Sequence, residues 1–227
     1  MIVPFNDLKA QWDTVKDSCV TDFDNLFTKS NFILGDAVKE FEEDFAEFVG
    51  CKYAVGVSNG TDALKLSAQA LDLVGPTAFI IPANTFVATL MGIEQAYPDA
   101  FFKLVDCDEH HQMDIDMLHK TVRELQYYDN IVIVPVHLYG YTCDMESIMQ
   151  VANKFSCIVL EDSSQAHGAY HGDSMAGSFG KVSAFSLYPG KNLGAAGDAG
   201  IVTTNDKDIY ERLQMLRNLG SKQKYVH

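Results

Sequence analysis

Lys191 lies in the run VSAFSLYPGKNLGAAGDAG, residues 182–200, after a strand-like segment carrying Ser186 and within a corridor of Gly190, Gly194, Ala195, Ala196 and Gly197. A lysine amine can form an imine with a carbonyl compound, and small neighbours let another group come close to the backbone. Three other stretches carry complementary chemistry. Ser58-Asn59-Gly60-Thr61 puts a glycine turn and a hydroxyl at the start of a helical pattern, where free N–H groups suit a phosphate. Phe86, in Ala83-Asn84-Thr85-Phe86, can stack on a flat ring. Glu161-Asp162 ends an apolar run, and a buried carboxylate there needs a partner such as a protonated ring nitrogen. Taken singly, each has a plain structural reading: a solvated lysine on a flexible loop, a helix cap, a core phenylalanine, an N-cap. Taken together, they are the parts that hold pyridoxal phosphate: a phosphate cradle, a stacking aromatic, an acid for the pyridine nitrogen and an imine-forming lysine.

Such residues need a frame. Apolar runs at 53–58, 77–82, 101–106, 130–139, 157–162, 181–187 and 199–204 read as seven strands. Several are continuously apolar, as in strands covered on both faces. Helical patterns lie between them, and the one at 35–50 places Val38, Phe41, Phe45 and Phe48 on one face before stopping at Gly50. The alternation predicts an α/β fold with a mostly parallel seven-stranded sheet flanked by helices. Ligands of such sheets bind beyond the carboxyl ends of the strands, where Gly60, Phe86, Asp162 and Lys191 all fall. No GxGxxG fingerprint follows the first strand, which counts against a nicotinamide-dependent Rossmann enzyme. His137, near the end of the fourth run, reads as a buried, hydrogen-bonded structural residue.

The 227 residues include 17 basic and 31 acidic ones, a net charge of −14, which argues against nucleic acid or anionic membrane as a partner. The five cysteines form no CxxC pair, and their odd number fits reduced thiols in a cytoplasmic protein. The opening MIVPFNDLKAQW has no basic stretch before an apolar core, so no signal peptide is expected, and no apolar run is long enough to span a membrane. In VDCDEHHQMDID the residues Asp108, Glu109, His110 and His111 are adjacent rather than on one face, so no metal site is expected.

Longer motifs carry a family likeness: LGDAVKEFEEDFAEFVGCKYAVGVSNGTDAL, PANTFVAT, VPVHLYG, EDSSQAHGA and FSLYPGKNLGAAGDAG, in a chain running from PFNDLKAQ to RNLGSKQKY. The chain resembles the DegT/StrS-type family of pyridoxal-phosphate-dependent nucleotide-sugar aminotransferases, of the aspartate aminotransferase type (fold type I). The resemblance implies that Lys191 is the imine-forming and catalytic lysine and that Asp162 pairs with the pyridine nitrogen. It implies that Gln165 bonds the phenolic oxygen, that Phe86 covers one ring face, and that Gly60, Thr61 and Ser186 hold the phosphate. Ser164 stands where the family commonly has alanine. The implied activity moves an amino group from an amino acid, glutamate as the usual donor, to a nucleotide-linked keto-(6-deoxy)sugar in deoxyamino-sugar or polysaccharide biosynthesis.

Lysine at 191 favours amino transfer over the dehydration that relatives with histidine there perform. The form of the loop after Lys191 resembles enzymes that aminate a 3-keto sugar. The resemblance also implies a homodimer for the complete protein. Residues 1–20 are expected to form an N-terminal segment and 21–227 the large cofactor-binding domain, the chain ending before a small C-terminal domain. The last residues, GSKQKYVH, show no closing element. Two alternatives stay open: a truncated non-catalytic or regulatory relative that binds cofactor or nucleotide-sugar, and a pyridoxal-phosphate-dependent sugar dehydratase.

Overall fold

The computed structural model describes residue 3 and residues 5–221; the rest of the closing GSKQKYVH lies outside the described residues. Seven strands form one sheet: β1 Tyr53–Val57, β2 Thr77–Pro82, β3 Phe101–Val105, β4 Asn130–Ile133, β5 Ile158–Asp162, β8 Val182–Ser186 and β9 Gly200–Thr204. A separate short hairpin, β6 Tyr170–His171 with β7 Ser174–Met175, lies between β5 and β8 in sequence. The sheet order is β1-β9-β8-β5-β4-β2-β3. The pairs from β8 to β3 are parallel, and β9 runs antiparallel to both its neighbours. β1 therefore points the same way as β8, and six strands end at one edge of the sheet. The amino end of β9 joins them there.

Helices α1 Leu8–Lys29, α2 Asp36–Val49, α3 Gly60–Ala70, α4 Ala88–Ala96, α5 Ile115–Glu124, α6 Met145–Phe155 and α7 Lys207–Leu216 connect or flank the strands. Alternate side chains of β2 enter different cores, as a pleated strand requires. Phe79 and Ile81 pack with Leu64, Ile93, Leu160 and Leu213, whereas Ala78 and Ile80 pack with Leu118, Val122, Ile148 and Val159. A third cluster joins Phe45, Ala46 and Val49 of α2 to Phe185 and Leu187.

The helix at 35–50 has Phe41, Phe45 and Phe48 in contact along one face, but only Phe45 of the three is buried, with Glu42, Ala46 and Val49, while Phe41 and Phe48 are 36% and 51% exposed. Glu42 tolerates burial because Arg217 pairs with it and the Gly56 N–H donates to it at 2.6 Å. The fourth strand stops at Ile133, not at 139. Pro135 has no N–H to donate, Val136 makes only a single bridge to Asp162, and Leu138–Gly140 forms a 3-10 turn with Tyr139 at φ 56. α1 is continuous across residues 20 and 21, so the expected boundary there does not divide the fold, and none of its residues is buried. Among the described residues no helix is long and apolar enough to cross a membrane.

Candidate active site

A cavity of about 550 Å³ opens at the edge where the strands end, a usual size for a small-molecule site. Gly60, Thr61, Phe86, Asp162, Gln165, Ser186 and Lys191 all line it, together with Ser164. The strand ends thus bring every expected site residue to one space.

The start of α3 forms part of the wall. Asn59 caps the helix: its Oδ1 accepts the Asp62 N–H at 2.8 Å and its carbonyl accepts the Ala63 N–H at 2.9 Å. Among the described residues, the N–H groups of Gly60 and Thr61 meet no acceptor. Ser186, at the end of β8, packs against this turn. A Cβ on Gly60 would lie 2.6 Å from the Ser186 Cβ. Gly60 does not have positive φ, so close approach, rather than turn geometry, is its reason.

Lys191 sits past β8 in a loop that closes on itself. The Lys191 N–H donates to the Tyr188 carbonyl and the Ala195 N–H to the Leu187 carbonyl, each at 2.8 Å. A Cβ on Gly194 would fall 2.4 Å from the Pro189 carbonyl oxygen, whereas one on Gly197 would meet nothing within 4 Å. Gly194 thus serves to fold the loop rather than to clear space for a bound group, a correction to the corridor reading. Lys191 is half-buried, and this burial lowers its ammonium pKa below the usual lysine value, while Asp162 opposes the shift.

Asp162 is 4% exposed. The Thr89 hydroxyl donates to its Oδ2 at 2.7 Å, and the Ser164 N–H donates to its Oδ1 at 3.1 Å. Among the described residues no other side chain or backbone N–H donates to them, so each oxygen keeps a free acceptor site. Gln165 has its Oε1 turned to the Tyr139 N–H at 2.8 Å, which leaves its NH₂ to donate elsewhere. Phe86 is 69% exposed at the rim, not in the core.

Behind the site lies a buried polar pair. Glu161 accepts from the N–H groups of Gly177, Phe179 and Gly180 at 2.7–2.9 Å and meets His137 Nε2 at 3.0 Å. His137 Nδ1 accepts the Cys143 N–H at 3.1 Å, so the ring proton lies on Nε2 and points to Glu161. Burial opposes a charged ring, while the contacts with Cys143 and Glu161 favour one; the Cys143 N–H aimed at Nδ1 leaves that nitrogen as the acceptor of the pair. The segment that suggested metal chemistry is a turn, in which Asp108 Oδ1 accepts the N–H groups of His110 and Gln112 at 2.8 and 3.0 Å.

The model of the DegT/DnrJ/EryC1/StrS aminotransferase family matches residues 14–227. The chain belongs to this family. It is 35% identical, over 99% of its length and 58% of the relative's, to the dTDP-3-amino-3,4,6-trideoxy-alpha-D-glucose transaminase of Streptomyces venezuelae. It is 37% identical, over 99% of its length and 60% of the relative's, to the UDP-N-acetyl-3-dehydro-alpha-D-glucosamine 3-aminotransferase of Acidithiobacillus ferrooxidans. The crystal structure of S. venezuelae DesV superposes with a TM-score of 0.91 at 36% identity, covering 99% of this chain and 59% of that one. NtdA from Bacillus subtilis, solved with bound cofactor PMP, gives 0.82 at 27% identity, covering 94% of this chain and 47% of that one. This family member thus spans about three fifths of the length of the curated relatives it matches.

Sequence reasoning missed several groups at this family member's site. Thr85 and Thr89, whose hydroxyls lie 2.7 Å apart, stand four residues apart in PANTFVAT, and that spacing was the available signal. The Tyr139 N–H, which orients Gln165, had none. Gln95, Tyr188 and Asp198 also line the cavity.

Proposed function

We propose that this family member, as part of its complete protein, uses pyridoxal phosphate to move an amino group from an amino acid, glutamate in this reading, to a keto-sugar carried on a nucleotide. The observation that carries the reading is that Lys191 and Asp162 share one cavity with the two acceptor-free N–H groups of α3. The donor set fits the cofactor. The N–H groups of Gly60 and Thr61, with the Ser186 hydroxyl, would hold the phosphate. The free acceptor sites of Asp162 would keep the pyridine nitrogen protonated. The Gln165 NH₂ would donate to the phenolic oxygen, Phe86 would cover one ring face, and Ser164 is small enough to leave the other open.

Bound there, the cofactor supplies an electron-accepting ring for charge developing at the reacting carbon. Lys191 Nζ does the proton work. Burial holds back its charging, so Nζ can take a proton from the donor's α-carbon and later deliver one at the sugar carbon. A lysine can be both imine former and base, whereas histidine could serve only as base. The relatives' names place new nitrogen at carbon 3 of dTDP- and UDP-linked sugars, which supports amination at carbon 3 here. We propose that the elements following α1 make up the cofactor-binding domain and that the complete protein is a homodimer, measurable by light scattering.

The test is absorbance of the purified chain with pyridoxal phosphate, then borohydride reduction and peptide mapping, beside Lys191→Ala. A visible band and attachment at Lys191 are expected, both lost in the variant. Attachment spread over other lysines refutes the site. Amino transfer is then tested in the complete protein with ¹⁵N-glutamate and a nucleotide-linked 3-keto-sugar. Nitrogen in the sugar is expected, and sugar consumed without it would mean dehydration.

A further inference from the structure

We infer that Thr89, backed by Thr85, is a positioning residue that sets how Asp162 meets the ring nitrogen of the cofactor. The inference rests on the cofactor reading above. Thr89 is buried in the wall of the cavity. Its hydroxyl donates to Asp162 Oδ2 at 2.7 Å and lies 2.7 Å from Thr85 Oγ1. A hydroxyl has one proton to give. Thr89 gives its own to the carboxylate, so the proton between the two threonines comes from Thr85. The chain therefore runs from Thr85 to Thr89 to Asp162, each bond polarising the next.

The Ser164 N–H holds the other oxygen, Oδ1, from the loop that follows β5. The two oxygens are pinned from different parts of the fold, Oδ2 from the second residue of α4 and Oδ1 from Asp162's own loop. Such a carboxylate cannot turn about its Cβ–Cγ bond without breaking one of the two bonds. Its remaining acceptor sites keep one direction. Without the Thr89 hydroxyl, Oδ2 loses its tether and the carboxylate is held on one side only. Thr89 acts through Asp162, without needing contact with reacting atoms.

Two ligands separate this role from a structural one: pyridoxal phosphate and its 1-deaza analogue, in which the ring nitrogen is a carbon. The ratio of their affinities reads the contact between Asp162 and the nitrogen. Thr89→Val keeps the shape and removes the hydroxyl; Thr89→Ser keeps the hydroxyl. The unsubstituted full chain is expected to prefer pyridoxal phosphate. Thr89→Val should cut that preference about tenfold, the order of one hydrogen bond to a charged group. Thr89→Ser should retain the preference and Thr85→Val should lose part of it. Thr85→Val, at a less buried position, carries the test if Thr89→Val unfolds. An unchanged ratio in both valine variants, or both ligands weakened by one factor, overturns the inference alone. No preference, or no binding, in the unsubstituted chain overturns the cofactor reading and this inference with it.

Discussion

Gly60→Ala distinguishes two reasons for a glycine at the start of α3. Backbone conformation gives no reason to exclude alanine, because Gly60 lacks positive φ, so on that ground the substitution would be harmless. The contact reading predicts a loss. The new Cβ would lie 2.6 Å from the Ser186 Cβ and 3.1 Å from its Cα. Ordinary carbon contacts are ~3.5–4.0 Å, so one side must move by about 1 Å. Ser186 ends a strand paired on both edges, by β5 and by β9, and cannot yield easily. The first turn of α3 must move instead. Overpacking of this kind costs ~1–3 kcal/mol, and alanine's better helix propensity returns less than about 1 kcal/mol at a helix end. The net loss is about 1–2 kcal/mol, which lowers Tm by about 2–8 °C in a chain of this size. Calorimetry on Gly60→Ala, Ser186→Gly and the double variant measures it. The alanine's cost should shrink by about 1 kcal/mol in the Ser186→Gly background. An unchanged Tm, or the same cost with and without the serine side chain, would refute the reasoning.

The two adjacent carboxylates should separate by assay. Glu161→Gln faces three N–H donors with one oxygen and should lose about 3–5 kcal/mol in urea unfolding, whereas Asp162→Asn should mainly lose affinity for pyridoxal phosphate. Burial lowers the Lys191 pKa, so at pH 8 pyridoxal phosphate and borohydride should label Lys191 before the exposed lysines; equal labelling in peptide maps would count against that shift. His167 is 9% exposed between Phe45 and Phe185, and burial, with Lys191 adding repulsion, lowers its pKa to about 4. The unfolded chain then binds the extra proton first, so the stability from a neutral His167 is complete above its unfolded value near 6.5 and is lost as pH falls through about 4. On the order of 3 kcal/mol should disappear in that window, and His167→Phe should flatten it in urea unfolding at pH 7 and pH 4.5.

The central strands were legible because buried strands leave apolar runs; every residue of β2 is buried, whereas the edge strand β3 is apolar in sequence though only partly buried. The same logic overran β4, since VPVHL stays apolar past Pro135 and only the proline marks the end. α1 gave no comparable signal: Trp12, Phe23 and Phe27 lie on a helix with no buried residue, so no core-facing stripe stands out. α5 was masked by the acidic and histidine residues before it, although Asp114 caps it in plain sight, accepting the Met117 N–H. At the site, residue types at strand ends could be read, but their partners could not. Glu161 and Asp162 are neighbours in β5 and point to opposite faces of the sheet. Both carboxylates are costly to bury, and the fold treats them differently. Glu161 takes three backbone N–H groups and His137, all from remote segments, which fills its acceptor sites. Asp162 takes two donors and keeps the rest of its capacity turned to the cavity. That unfilled capacity, and not the residue type, separates an acid that can act on a ligand from one that holds the fold together. It is a property of donors brought from residues 89 and 164 on one side and 137 and 177–180 on the other, so it exists only once the chain is folded.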